Sequence, residues 1–520
     1  MSAASTAMHP GWLSLLLLST VTPGDRAFSS QLLKCFEDPQ YEEMVQLAKD
    51  GLGQTAERKS IVVIGAGMAG LTVAKTLQDA GHQVTVLEAS GHVGGRIQTH
   101  RVPGTQWYVD LGPMRIPSNH KKIHRSQKCY IKIIFNVTWW TLLLGGHSSS
   151  GATFSFPRLC KAPAMKSDGH QSPASLLLSF PHAQVEEELK QGTTCSQLLA
   201  KYDSFSTKEF LIKVGNLSRG AVQMIGDLMN VDIGYCEAFM ESLRWILSFY
   251  NQTFDEITGG FDQLPTALHD SLLPRTVQLH SPVEEVEVSG DHVRIRYRTP
   301  NPLRQRALLT ADYVVVATTS RAARLLRFQP PLSPSKEDAL RIVHYHSAAK
   351  VVLACTQRFW ERDGIFGGYS TTDLPSRFII YPSHIFPNGT GVLLASYTLD
   401  DDSSIFTAMD SARAVDVVLD DLAAIHNRPK EELRALCPYS KVKDWSQDPY
   451  SMGAFVSFTP YQYVDYVREL CQPQGRIYFA GEHTSLPHGW IDTAIKSGLR
   501  ASQDIQEAVN LASSKGPRDP

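Results

Sequence analysis

Little in this chain points toward a membrane-spanning, nucleic-acid-binding or zinc-finger protein. Its 520 residues carry a formal net charge of −2, so there is no excess of one sign to hold nucleic acid or an anionic bilayer. Charged residues make up 20% and hydrophobic residues 42%, an ordinary soluble balance. None of the eight cysteines (Cys35, Cys129, Cys160, Cys195, Cys236, Cys355, Cys437 and Cys471) stands in a Cys-x-x-Cys pair, so no metal site is expected. The apolar run Trp12 to Leu18 is far shorter than the roughly 18 residues a membrane-crossing helix needs. The polar end, Ser513 to Pro520, excludes a tail anchor from the expectation.

What is there points to a secretory route. The Trp12–Leu18 run follows a short polar stretch and precedes Thr22-Pro23-Gly24, so residues 1–29 read as a signal peptide. Asn-X-Ser/Thr tripeptides occur at Asn136, Asn216, Asn251 and Asn388, suiting that route. Some cysteines of a secreted chain are expected to pair. The length is too great for one ordinary core and implies two or three domains.

A βαβ unit is written between Ser60 and Ser90. Ile61-Val62-Val63-Ile64 is a β-branched apolar run, the mark of a buried parallel strand. A glycine turn follows, then a helix from about Met68 to Gln78, stopped at Gly81. Val84-Thr85-Val86-Leu87 is the second strand. Further on, Val283–Val288 and His292–Tyr297 flank Ser-Gly-Asp as a hairpin. Ala311 to Ala317 is another buried strand, and Asp410 to Ile425 an amphipathic helix. Gly475 to Glu482 reads as a strand ending in a glycine turn, before a helix from about Ile491 to Val509. Strands of one nucleotide-binding sheet therefore lie at both ends and in the middle of the chain. The expected fold class is α/β, with a discontinuous Rossmann-like domain that has other domains inserted in it.

Gly65-Ala66-Gly67-Met68-Ala69-Gly70 is a G-x-G-x-x-G turn in the right context, after a strand and at the start of a helix. Gly65 permits the tight turn, Gly67 lets the backbone approach a pyrophosphate, and Gly70 allows close helix–strand packing. Glu88, ending the next strand, can accept hydrogen bonds from both ribose hydroxyls and would repel a 2′-phosphate. FAD and NAD share this fingerprint. Gly94-Gly95-Arg96 and the distant Gly481-Glu482 favour FAD, because a long flavin draws contacts from both ends of a chain.

These residues resemble the flavin amine oxidase superfamily, and within it the L-amino-acid oxidases of the snake-venom and mammalian secreted type. The resemblance rests on Val62–Gly70, Glu88-Ala89-Ser90, Gly94-Gly95-Arg96, Leu111–Pro117, Lys208–Ile212, Thr371–Phe378 and Gly489–Asp492. It spans residues 31–120 and 186–508. It implies an FAD-binding domain made of 60–96, 264–342 and 470–511. It also implies a mixed α+β substrate domain made of 30–50, 97–120 and 343–469, a helical domain at 186–255, and a tail at 512–520.

The resemblance assigns roles residue by residue. Arg115 would bind a substrate carboxylate with its guanidinium fork, partnered by Tyr397. Gly489 and Trp490 would flank the substrate amine and the flavin. Lys350 would hold a water near the flavin and assist oxygen reduction, its ammonium desolvated by burial. Cofactor contacts fall on Gly65, Gly67, Met68, Ala69, Gly70, Glu88, Ala89, Arg96, Gly112, Pro113, Met114, Arg115, Val283, Glu482, Gly489, Trp490, Ile491, Asp492, Thr493 and Ala494. Disulfides fall on Cys35–Cys195 and Cys355–Cys437. No remaining cysteine sits in a flavin-attaching motif, so FAD is expected to be non-covalent.

Two departures stand out. Venom-type members carry a histidine, proposed as a base, after a Glu-Ser-Leu motif; here Glu241-Ser242-Leu243-Arg244 is followed by Trp245. Residues 121–185, where the family builds helices beside its substrate funnel, match nothing in it. They read as loop or disorder, and an alternative exon or a gene-model error is the expected explanation. The implied function is oxidative deamination of large apolar or aromatic L-amino acids with O2, giving 2-oxo acid, ammonia and hydrogen peroxide. The alternatives are a polyamine or monoamine oxidase on the same fold and an inactive secreted isoform. Partners are the amino acid and O2, with no nucleic acid and no membrane span, and room for a homodimer. The expected location is outside the cell, or a lysosome or granule lumen.

Overall fold

The computed structural model describes residues 29–122, 183–249, 253–300, 305–382 and 384–514. The signal-peptide stretch and almost all of 121–185 lie outside them, as do Cys129, Cys160, Asn136 and Asn251. Among the described residues no helix is long and apolar enough to cross a membrane. Asn216 and Asn388 are exposed.

A five-stranded parallel sheet organises the nucleotide side. Its strands run in the order Ile477–Phe479, Tyr313–Val316, Ser60–Ile64, Gln83–Leu87 and Val277–Gln278. Every pairing is parallel. Such a sheet is covered on both faces, which is why its strands read as unbroken apolar runs. Val63, Val314 and Val315 are wholly buried, each contributing about 1.5–3 kcal/mol on burial. Helix Met68–Asp79 covers one face together with helix Ile491–Ser514. Helix Met68–Asp79 stops at Ala80, and Gly81 follows at φ +98°, so the glycine takes the left-handed position just past the cap. The expected hairpin forms from Val283–Ser289 and His292–Arg298 and belongs to a second, four-stranded sheet.

A third sheet is antiparallel throughout and carries Lys350 and Tyr397. Its order is Tyr369–Thr371, Phe378–Ile380, Gly391–Leu399, Ala348–Cys355 and Tyr439–Asp444. Strand Ala348–Cys355 is buried along its whole length. Helix Ser411–His426, capped by the Asp410 side chain on the Arg413 N–H, packs on the sheet through Ala414, Val418, Leu419 and Leu422.

Helices Cys195–Tyr202, Arg219–Met229 and Phe239–Phe249 form a separate helical region. Two charged clamps join it to the third sheet. Arg377 reaches Asp232 at 2.7 Å, Asp402 at 3.0 Å and Asp227 at 3.5 Å. His346 lies between Glu237 and Asp400, 2.7 Å from each. A Cys35–Cys195 disulfide ties helix Ser30–Phe36 to helix Cys195–Tyr202. A second, Cys355–Cys437, ties the end of strand Ala348–Cys355 to the residue after helix Lys430–Leu436.

Candidate active site

The glycine turn is shaped for a ligand. Gly65 has φ +105°, and a Cβ there would sit 2.9 Å from the Ala317 carbonyl oxygen. A Cβ on Gly70 would lie 2.0 Å from the Gly65 carbonyl oxygen. Gly67, between them, faces open space, and it caps helix Met68–Asp79 without any side-chain hydrogen bond. The first-turn N–H groups and the helix dipole thus face a cradle free of side chains, the arrangement that receives a phosphate. A Cβ on Gly95 would lie 3.6 Å from the Gly67 Cα. Glu88 is buried; one carboxylate oxygen accepts the Ala66 N–H at 2.7 Å and the other the Ser90 N–H at 2.8 Å. That fixes the carboxylate and leaves lone pairs for hydroxyl donors. Ala89 lies between Glu88 and Ser90. Met68 and Ala69 are buried at the helix start. Val283 opens the second sheet's central strand, half-buried.

Arg96 and Glu482 join the two ends of the chain. Arg96 donates to a Glu482 carboxylate oxygen and to the Ala454 carbonyl, both at 2.8 Å. Burial alone would push the Glu482 carboxyl upward, but the Arg96 charge overrides it and the net shift is downward. Glu482 also accepts the Val456 and Gly489 N–H groups, each at 3.2 Å. Its carboxylate is therefore spent on the protein, orienting Arg96 and the Gly489 turn. A Cβ on Gly112 would fall 2.0 Å from the Arg96 carbonyl oxygen, so Gly112-Pro113-Met114-Arg115 runs directly beside Arg96.

Lys350 sits beneath that segment. Its Nζ donates to the carbonyls of Gly112 at 2.6 Å and Asp110 at 3.2 Å, with the Met114 sulfur at 3.8 Å. It is 2% exposed. Burial drives its pKa down to about 7, with nearby Asp110 opposing and Arg115 reinforcing that shift. Asp110 is itself pushed up to about 6 by burial, against hydrogen bonds from Thr99 and the Phe261 N–H.

Arg115 has no carboxylate partner among the described residues. Its guanidinium lies 5.3 Å from the Phe249 ring centre and 5.6 Å from that of Phe254. The phenols of Tyr397 and Tyr369 are the polar groups whose fields it feels; burial raises both phenol pKa values and Arg115 opposes that. Burial lowers the Arg115 pKa from its ordinary value. A guanidinium in an aromatic-walled, half-buried place without an anion is poised to take one.

Trp490 completes the aromatic wall, 5.4 Å from Phe249 and edge-on to His120 at 4.8 Å. Gly489 has φ +78°, and a Cβ there would meet Phe455 at 3.2 Å. Not every expected residue turns toward this centre. Asp492 is buried in an ion pair with Lys122 at 2.9 Å, and Thr493 donates to the Pro487 carbonyl. Ile491 is buried in an apolar cluster, with Ala494 packed against it. Trp245, at the place of the venom-type histidine, is 39% exposed and packs on Phe249 at 4.7 Å. Phe249, Phe254, Tyr369 and Asp110 were not singled out from sequence. Their types carry no local signal, and only long-range packing brings them to Arg115 and Lys350.

The parallel sheet and its glycine turn define a nucleotide-binding protein, and residues 68–506 match the family model for flavin containing amine oxidoreductase. The chain belongs to that family, within its L-amino-acid oxidase branch. It is 48% identical over 497 residues to an L-amino-acid oxidase of Pseudechis australis, covering 94% of this chain and 93% of the relative. It is 47% identical over 501 residues to one of Naja atra, covering 95% and 97%. Among solved structures, the cyclohexylamine oxidase of Brevibacterium oxydans IH-35A superposes with a TM-score of 0.68 at 19% identity, covering 87% of this chain and all of that one. A putrescine oxidase bound to putrescine gives 0.69 at 17%, covering 86% and 99%. The chain is an enzyme carrying a flavin, on the flavin amine oxidase fold expected of it.

Proposed function

We propose that the protein is an FAD-dependent L-amino-acid oxidase that acts on large apolar or aromatic amino acids. The observation that carries this reading is Arg115, a half-buried guanidinium with no carboxylate partner among the described residues, walled by Phe249 and Phe254. It would clamp the substrate carboxylate, with the Tyr397 hydroxyl beside it. Trp490 and the two phenylalanines would surround an apolar side chain. The Gly489 turn, held by Glu482, leaves room for the amine.

FAD is favoured over other flavins because Glu88, locked by two backbone N–H groups, suits an adenosine ribose, and the Gly67 cradle suits a pyrophosphate. No motif around an unpaired cysteine supports a covalent link, so the cofactor is held non-covalently. Held by the Gly67 turn, Glu88 and Arg96, FAD would supply the two-electron oxidation of the amino acid to the imino acid, with O2 as the final acceptor and hydrogen peroxide as its product. The imino acid released takes up water to give the 2-oxo acid and ammonia. With Trp245 unable to accept a proton, the substrate amine must enter neutral. Lys350, its pKa near 7, would hold the water that moves protons during oxygen reduction. Two disulfides and exposed sequon asparagines support export from the cell.

The test is a peroxide assay on FAD-loaded protein with L-phenylalanine and L-leucine, beside phenylethylamine. Turnover of the amino acids and none of the amine is expected. Turnover of the amine alone would move the protein to the amine oxidases. A flavin spectrum that no amino acid bleaches anaerobically would mark an inactive isoform.

A further inference from the structure

Outside the flavin site, three ligating side chains converge where the helical region meets the antiparallel sheet. His344 and His346 flank Tyr345 in the extended stretch that leads into strand Ala348–Cys355. Strand Gly391–Leu399 pairs with that strand so that Ala348 faces Leu399, which brings Asp400 beside Ser347. Asp400 is pinned there: the Ser347 N–H donates to its Oδ1 at 3.2 Å, and its own N–H donates to the Ser347 carbonyl at 3.1 Å. Its Oδ2 is left pointing at both histidines, 2.7 Å from His346 Nδ1 and 3.8 Å from His344 Nε2. One ligand atom from each of the three lies within 4.8 Å of the others.

We propose that His344 Nε2, His346 Nδ1 and Asp400 Oδ2 form a binding site for a divalent transition-metal ion of the zinc type. Two further observations point to an ion. His344 Nε2 is buried and makes no hydrogen bond, although it faces Asp400. The far nitrogen of His346, Nε2, lies 2.7 Å from a Glu237 carboxylate oxygen, and Glu237 is in turn fixed by the Ser242 hydroxyl at 3.0 Å. A carboxylate behind a histidine holds the proton of the far nitrogen, so the near nitrogen, His346 Nδ1, can serve as a metal-binding lone pair once the proton it shares with Asp400 is displaced. Two imidazoles and one carboxylate suit zinc and its neighbours rather than calcium or magnesium, which take mostly oxygen.

The dimensions are close to what such an ion needs. Bonds of about 2.0–2.1 Å in a tetrahedron put ligand atoms about 3.3 Å apart. The 3.8 Å gap is already near that, and the 2.7 Å contact opens by a fraction of an ångström as the ion replaces the proton between His346 and Asp400. That proton leaves to solvent. The side chain of His344 is 32% exposed, so the ring lies at the rim of the cluster although its Nε2 is turned inward. The ion would brace the strand that carries Lys350, four residues beyond His346, against Asp400, while Glu237 holds the helical region to it.

Isothermal titration of Zn2+ into untagged, EDTA-treated, FAD-loaded protein tests the site, alongside His344→Ala and Glu237→Gln. His344→Ala removes only a half-exposed ring, and its flavin spectrum and melting curve without metal report its fold. Should it fail to load flavin, His344→Asn takes its place. The expected result is one saturable equivalent in the wild type that is weakened at least tenfold by the His344 substitution and roughly 10–100-fold by Glu237→Gln. Zinc should also raise the melting temperature of the wild type but not of the His344 variant. Equal zinc affinity and stoichiometry in wild type and His344 variant, or no saturable binding, would overturn the proposal. Calcium binding there in preference to zinc would do the same.

Discussion

Lys350 and Tyr397 stand directly opposite each other on adjacent antiparallel strands, with the lysine Nζ 5.1 Å from the centre of the tyrosine ring. One pair of strands thus delivers both the buried amine and the phenol that lies beside Arg115. The lysine faces the carbonyls of Asp110 and Gly112, and the same short segment continues into Arg115. Lys350, Tyr397 and Arg115 are therefore held by two inner strands of one sheet and one loop, and a shift in either moves all three.

The buried amine makes stability depend on pH. The Lys350 pKa is depressed from 10.5 to about 7. Between those values the unfolded chain binds more protons than the folded one, so this group's contribution rises with pH. Below about 7 the folded protein carries the full cost of a charged, desolvated amine. Lys350→Met removes that cost. Its melting temperature relative to wild type is expected to be most favourable near pH 6 and to decline toward pH 10. A difference that does not vary with pH would contradict this. The same variant should slow flavin reoxidation by roughly 10²-fold or more, read by stopped flow.

Arg115→Ala should lose about 2–5 kcal/mol of transition-state binding for amino acids, roughly 30-fold to several thousand-fold in kcat/KM. Any residual oxidation of amines lacking a carboxylate should be unchanged. Steady-state kinetics on both substrate classes decide the point, and an equal loss on both would remove the carboxylate role.

The second and third glycines of the turn should respond differently to alanine. At Gly67 a methyl meets open space, so Gly67→Ala should fold with near-native stability and bind FAD weakly, as measured by flavin fluorescence. At Gly70 the methyl would collide with the Gly65 carbonyl, displacing the helix from the strand. Gly70→Ala should therefore lower the melting temperature even of flavin-free protein.

Arg377 is 8% exposed and contacts three aspartates. Arg377→Leu leaves those carboxylates without their cation, and the expected loss is about 3–5 kcal/mol of stability. Chemical denaturation of the variant checks it. The helical region should become the first part to exchange amide hydrogens, because this clamp joins it to the sheet.

The sequence by itself determined the nucleotide half of this protein. Ile61–Ile64, the glycine turn and Glu88 lie within one βαβ unit, where short-range patterning sets strand, turn and helix; the observed strand Ser60–Ile64 and helix Met68–Asp79 follow that pattern. The hairpin of 283–298 and the helix beginning after Asp410 were legible for the same reason. Resemblance in long, specific strings carried the family. Tertiary structure alone decided the surroundings of the chemistry. Phe249 and Phe254 come to Arg115 from far along the chain, and the carbonyls that hold Lys350 belong to a segment more than two hundred residues earlier. Asp492 turned to Lys122, and Asp400 reached two histidines through strand register. Such contacts depend on how layers pack, and no local window of sequence encodes the distance between side chains that only the folded core brings together.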